Sequence, residues 1–170
     1  MTAYGVTDFI PRIMSTATGL NYNYSFWAVP ATWFLGMAPI WWALGQARRA
    51  GPETEYNNAD PKGSWERVEK SEKLDDRLRG RILRASAAAN NTHVNLGFMA
   101  AAILAGNAAR LPVSTLNNSA LGLVIARTVF TFCYILVEKR KYSYLRSMAY
   151  MAGSIICMRL FILAGREFQA

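Results

Sequence analysis

The sequence has few of the residues that build metal centres or disulfide frameworks. It contains one histidine, His93, and two cysteines, Cys133 and Cys157, which lie in apolar stretches. It has no CxxC pair, and no histidine lies near either cysteine, so we predict neither a zinc site nor a redox motif. We interpret both cysteines as small buried hydrophobic residues.

Charge is also scarce, and it is unevenly distributed. Charged residues make up 18% of the 170 residues and apolar residues 52%. Ten of the 19 basic residues lie between Arg48 and Arg84, and this polar region lowers the mean hydropathy to +0.09. Long runs with few or no charges fill the rest, as in membrane proteins. We interpret the net charge of +8 as a signal of membrane topology and expect no nucleic-acid binding.

These runs predict an all-α integral membrane protein, a bundle of four transmembrane helices in one domain over residues 1–170. The run over 26–46 has 21 residues without a charge, and at 1.5 Å per residue it crosses a core of about 30 Å. Pro30 and Pro39 are tolerated in bilayer helices and predict a bend. The predicted helices cover about 26–46, 79–109, 113–137 and 143–166.

Basic residues follow the first and third predicted helices, whereas the turn after the second has only Arg110. The positive-inside rule therefore places loops 48–80 and 138–142 in the cytoplasm and both termini on the other side. Within the first loop, Glu66 to Leu78 predicts a short amphipathic helix. The N-terminus lacks the pattern of a cleaved signal peptide, so we expect the first span to act as the targeting signal.

Ionisable side chains inside predicted spans are candidate site residues, because charge is costly in hydrocarbon. Arg127 lies within the third span, and Tyr134 follows two helical turns later on nearly the same face. The other candidates lie on the second and fourth helices: Arg84, Asn91, His93, Asn95, Arg146, Ser147 and Tyr150.

Each candidate also has a structural interpretation. Arg127 could bond helix carbonyls, and the asparagines could be inter-helix hydrogen-bond glue. His93 could be a packing residue, while Arg48 and Arg146 could anchor helix ends at the headgroups.

Four segments together resemble the MAPEG family, the membrane-associated proteins in eicosanoid and glutathione metabolism. Gly45 to Arg48 is similar to the basic exit from the family's first helix, and Arg84 to Asn91 to its Arg-Ala-rich second helix. Ala126-Arg127 with Tyr134, and Leu145-Arg146-Ser147 with Tyr150 and Gly153, resemble motifs of its third and fourth helices. The resemblance extends from about Ala43 to Gly165.

The resemblance implies a homotrimer with glutathione between subunits near the cytoplasmic face. Arg146 or Ser147 would stabilise the thiolate, because a nearby cation or donor lowers a thiol pKa. A lipophilic substrate would arrive from the membrane lipid, in the endoplasmic reticulum or another intracellular membrane. The residues implied to hold glutathione are Arg48, Arg84, Asn91, Asn95, Arg127, Tyr134 and Tyr150.

The sequence departs from the family on the second helix, where Ala88 and Asn90 occupy positions of expected basic residues and Gly97 that of a proline. The family usually has a glutamate three residues after the asparagine of its second helix, and Val94 occupies that position here. A register shifted by three residues matches both Arg81 and Arg84, and it places Asn91 at the glutamate position. Either register leaves the glutathione amino group without its carboxylate.

Three functions follow from these observations. The first is a glutathione-dependent transferase or isomerase acting on a lipophilic electrophile. The second is a glutathione-independent cyclase or isomerase for a hydrophobic polyketide or terpenoid intermediate. In it His93, Tyr134, Arg127 and the asparagines act as acid, base or polarising groups. The third is a non-catalytic membrane scaffold.

Overall fold

The computed structural model describes residues 22–169, which are mainly helical. Single 3-10 turns at Ser25–Trp27 and Arg140–Tyr142 precede the first and last α-helices. Residues 1–21 of the predicted domain lie outside the described residues. The α-helices within 22–169 are α1 Ala28–Ala50, α2 Pro61–Lys70, α3 Asp76–Ala108, α4 Val113–Leu136 and α5 Tyr144–Glu167.

The first helix continues past its predicted end. It includes Arg48 and Arg49 in its last turn, where cations interact favourably with the helix dipole. Gly51 then ends α1 with a φ of 135°, a conformation that glycine adopts without steric cost. Pro30 lies in the first turn, so only Pro39 removes a hydrogen bond from the helix interior.

The predicted amphipathic helix over Glu66 to Leu78 is wrong in its bounds. It starts earlier because Pro61 occupies the first helical position and the Asp60 side chain accepts a hydrogen bond from the Gly63 N–H at 3.0 Å. It ends at Lys70. Asp75 then caps the N-terminus of α3, so Leu78 belongs to the next helix.

α1 packs on α3 through a face of small residues. Gly36 is buried at the centre of this face, and a Cβ built on it would lie 2.8 Å from His93 Cε1 on α3. Facing α1, α3 carries buried alanines, including Ala85 and Ala89. Small side chains allow helix backbones to approach closely. The buried residues of α1 are Ala28, Thr32, Gly36, Pro39, Ala43 and Ala47.

A tight turn reverses the chain between α3 and α4. Arg110 adopts a φ of 54°, and its N–H donates to the Asn107 carbonyl while the Leu111 N–H donates to the Gly106 carbonyl. These two bonds form a Schellman C-cap. Buried Leu111 packs into the apolar core that α3, α4 and α5 share.

Within residues 22–169, two helical segments are long and apolar enough to cross a membrane, Val113–Leu136 and Arg140–Glu167. α1 has no charge before Arg48, but its tryptophans and prolines lower its hydropathy, and the first half of α3 is polar. The predicted crossings by α1 and α3 therefore stay a prediction.

Candidate functional site

The candidate site is built around a buried arginine. Arg127 on α4 has only 3% of its surface exposed, and its Nη1 donates to the Asn91 Oδ1 of α3 at 3.1 Å. The ring of Phe130, one turn later on the same helix, lies 5.4 Å from the guanidinium carbon. Asn91 was predicted as an inter-helix partner, and it is the residue that positions this cation.

A second pair of polar side chains connects α3 to α5. The Tyr150 hydroxyl donates to the Asn95 Oδ1 at 3.2 Å, and the Asn95 Nδ2 donates to the Asn91 backbone carbonyl at 2.8 Å. The Tyr150 ring also lies 5.5 Å from the Arg127 guanidinium carbon. Asn91 and Asn95 are four residues apart and therefore share a helix face. On this face Asn91 contacts α4 through Arg127, and Asn95 contacts α5 through Tyr150.

Aromatic rings connect this interior cluster to a second, more exposed arginine. Phe130 and Tyr134 have ring centroids 5.4 Å apart, and the Arg146 guanidinium carbon of α5 lies 4.4 Å from the centre of the Tyr134 ring. This distance is within the range of a cation–π contact. Arg146 and Tyr134 are both half-buried, so they form the accessible end of the cluster.

Neither arginine has an acidic partner within residues 22–169. The ion pairs of this part of the chain involve other basic residues, and no carboxylate lies within 4.0 Å of Arg127 or Arg146. A partly desolvated guanidinium without a counter-ion favours an anionic ligand, because it can bind a carboxylate with two hydrogen bonds.

A model of the MAPEG family matches residues 26–166. The match covers most of the chain and includes every residue of the cluster. This chain belongs to the MAPEG family. The predicted membership of this family is thereby confirmed. A comparison with curated proteins found no match, and a comparison with solved structures found none either.

Membership in the MAPEG family, together with two apolar helices, identifies a membrane protein. The family includes glutathione transferases and isomerases. The half-buried Arg146 and the buried Arg127 of this MAPEG chain are the positions that the family resemblance had indicated.

Two other predicted glutathione arginines of the MAPEG chain are paired with its own acids. The Arg48 Nε lies 3.4 Å from the Glu55 Oε1, with 80% of the Arg48 side chain exposed. Arg84 donates to the Ile135 carbonyl at 3.0 Å and to Glu138 at 3.1 Å. Arg77 and Arg81 also lie within 3.6 Å of Glu138. Arg48 and Arg84 therefore contact acids and are not part of the Arg127 cluster.

Three more positions that the sequence singled out make no contact with the Arg127 cluster among the described residues. The His93 Nδ1 donates to the Ala89 carbonyl at 2.9 Å, and the ring packs on Gly36 of α1. Ser147 is exposed, and no described residue forms a hydrogen bond with its hydroxyl. Val94 is 73% exposed, so the position of the family glutamate in the first register contributes nothing to the cluster.

Sequence reasoning missed Phe130 and Glu138. Phe130 follows Arg127 by three residues and therefore shares its face, but a phenylalanine in an apolar span is usually a packing residue. Glu138 begins the run Glu138-Lys139-Arg140-Lys141. A single acid beside three bases was a usable signal, but the run was interpreted only as a topological one.

Proposed function

We propose that this MAPEG chain is a membrane enzyme that uses glutathione to conjugate or isomerise a lipophilic electrophile. One observation carries the proposal: Arg146 is half-buried against Tyr134, and among residues 22–169 no carboxylate pairs with it. The guanidinium is thus available to an anionic group of a ligand.

We infer different tasks for the two arginines. Arg146 contacts the ligand, where its charge favours a thiolate over a thiol or forms a fork with a carboxylate. Arg127 is buried, so it does not contact the ligand directly. It positions Phe130 and the amide of Asn91, which it contacts. Tyr134 holds the Arg146 guanidinium over its ring, and Tyr150 fixes Asn95. Glutathione, when bound, supplies the thiol that attacks the electrophile.

The residues fit part of glutathione. The guanidinium of Arg146 suits one of its two carboxylates, whereas Arg48 and Arg84 are paired with Glu55 and Glu138. No acid within the described cluster suits its ammonium group, since Val94 replaces the expected glutamate. We infer that the ammonium group contacts solvent or a neighbouring subunit.

The remaining expectations belong to the same proposal. We infer a bundle of four transmembrane helices that assembles as a homotrimer in the endoplasmic reticulum or another intracellular membrane. Loops 48–80 and 138–142 face the cytoplasm, where glutathione is supplied. The lipophilic substrate enters from the membrane lipid.

A second candidate is a glutathione-independent cyclase or isomerase for a hydrophobic polyketide or terpenoid intermediate. Two observations favour it, namely the exposed Val94 and the unpartnered Nε2 of His93. A third candidate, a non-catalytic membrane scaffold, predicts that variants of the cluster change neither ligand binding nor turnover.

Calorimetric titration of reduced glutathione into the detergent-purified protein tests the proposal. We expect binding in the micromolar to low millimolar range, weakened about tenfold or more in Arg146→Gln, because a hydrogen bond to a charged group contributes about 1.5–3 kcal/mol. Arg159→Gln is the matched control, since Arg159 is an exposed arginine about 20 Å further along the same helix.

Further ligands separate the alternatives. S-methylglutathione should bind without reacting, and an ester that lacks one carboxylate should bind more weakly. If glutathione does not bind a correctly assembled protein, the transferase proposal fails and the glutathione-independent enzyme becomes the better one. Equal binding by Arg146→Gln and wild type would remove Arg146 from the site.

A further inference from the structure

Three arginines of α3 converge on a single carboxylate outside the Arg127 cluster. Arg77, Arg81 and Arg84 are spaced by four and three residues, which places them on one helix face over about 10 Å of α3. Their guanidinium nitrogens lie 3.5, 3.6 and 3.1 Å from the same atom, the Oε1 of Glu138. The fold therefore creates a point at which three positive charges meet one negative charge.

One carboxylate does not satisfy these three guanidinium groups. Of the three, only Arg84 donates a hydrogen bond to Glu138, because the contacts of Arg77 and Arg81 are longer. The Nε of Arg81 is buried and has no hydrogen-bond partner among the described residues. Buried donors in native proteins normally have partners, so this N–H is available to an acceptor of a ligand.

The surroundings of the three arginines add positive charge. Within residues 22–169, no acid other than Glu138 forms an ion pair with them. The run Lys139-Arg140-Lys141 follows Glu138 directly. Guanidinium groups held close together repel each other, and an anion that binds between them relieves this repulsion.

Glu138 occupies the place of an anionic ligand, and its side chain can leave that place. The residue lies in the short link between α4 and the following 3-10 turn, and 38% of its side chain is exposed. It can therefore rotate into solvent without movement of a helix. The three arginines would then be open to an anion from solution.

Charge and exposure together select the kind of anion. The exposed fraction of the side chain falls from 67% at Arg77 to 32% at Arg81 and 25% at Arg84, so the site opens to solvent at Arg77. A carboxylate neutralises only one of the three charges. A phosphate dianion neutralises two and offers several acceptor oxygens to the guanidinium forks.

We propose that Arg77, Arg81 and Arg84 form a binding site for a soluble phosphate dianion, which displaces the carboxylate of Glu138. Inorganic phosphate and phosphate monoesters supply this chemistry. The site goes beyond the proposed glutathione chemistry and does not depend on it, because phosphate carries no thiol and the site includes no residue of the Arg127 cluster.

Calorimetric titration of inorganic phosphate into the detergent-purified chain tests the site, in a phosphate-free buffer at constant ionic strength. We expect saturable binding. Sulfate should compete because it is also a tetrahedral dianion, whereas acetate at the same concentration should not, because it offers no more charge than Glu138 does.

Two variants test the arginines. Arg81→Gln should weaken phosphate binding about tenfold, because hydrogen bonds between charged groups are strong in a partly buried site. Arg77→Gln should weaken it about threefold, because this arginine is more exposed, and for the same reason the variant should fold normally. Arg49→Gln is the matched control, since Arg49 is an exposed arginine of α1 that forms no ion pair with Glu138.

Glu138→Gln tests the displacement of the carboxylate. This variant should bind phosphate about fivefold more tightly, which corresponds to about 1 kcal/mol, because no anion has to leave the arginines. Weaker binding than in wild type would overturn the proposal, since the carboxylate would then organise the arginines instead of competing with the ligand. Absence of saturable binding to wild type, or equal binding by Arg77→Gln, Arg81→Gln and Arg49→Gln, would overturn it as well.

Discussion

Replacing Gly36 by alanine tests the packing of α1 on α3. A Cβ on Gly36 would lie 2.8 Å from Cε1 and 3.0 Å from Nε2 of His93. These distances are shorter than normal van der Waals contacts, so the imidazole ring or the α1 backbone must move. Because the Nδ1 of the ring is hydrogen-bonded to Ala89, the ring cannot rotate away without breaking that bond.

The expected effect combines two opposing terms. Overpacking a close contact costs about 1–3 kcal/mol, and alanine gains about 1 kcal/mol over glycine in helix propensity. The net change for Gly36→Ala is therefore a loss of about 0–2 kcal/mol. Gly45, also in α1, has no atom within 4 Å of the corresponding Cβ, so Gly45→Ala shows the propensity term alone and should stabilise the protein.

Thermal unfolding in detergent measures the difference between the two alanine variants. We expect the melting temperature of Gly36→Ala to lie below that of Gly45→Ala by about 2–4 °C per kcal/mol. A double-mutant cycle with His93→Ala isolates the contact, because Gly36→Ala should lose its cost when the ring is absent. Equal melting temperatures for the two alanine variants, or no coupling in the cycle, would refute the proposed close approach.

Three other regions give further predictions. Glu138→Gln leaves three arginines without their shared carboxylate. Because these groups are partly exposed, we expect the free energy of unfolding to fall by about 1 kcal/mol, and by less in high salt. Melting temperatures at two salt concentrations measure the effect. Arg110→Gly should raise the melting temperature by relieving about 1 kcal/mol of left-handed strain. The hydrogen bond that Arg67 donates, and after it the one from the Gly63 N–H, lower the pKa of Asp60 below its ordinary value. The stabilisation is present above that value and lost as the pH falls through the lowered pKa, so the melting difference between wild type and Asp60→Asn should disappear in acid.

The candidate site could be predicted residue by residue more easily than as a set. The spacing of Arg127 and Tyr134, and of Asn91 and Asn95, indicates a common face because helical periodicity is a local property. The same property separates His93 from Asn91, as the structure shows. However, periodicity does not determine which helix lies against a given face, so the contact of Arg146 with Tyr134 could not be derived from it.

The sequence by itself determined the helical class, the membrane character and the family, because composition, long apolar runs and motif spacing are properties of consecutive residues. Only the tertiary structure decided which arginines keep an unpaired charge. Arg84 meets Glu138 across 54 positions, and Arg48 meets Glu55 across a turn, whereas Arg127 and Arg146 pack against aromatic rings. Two charges distant in sequence interact only when folding brings their helices together, and that distance decides whether a guanidinium is paired or available to a ligand.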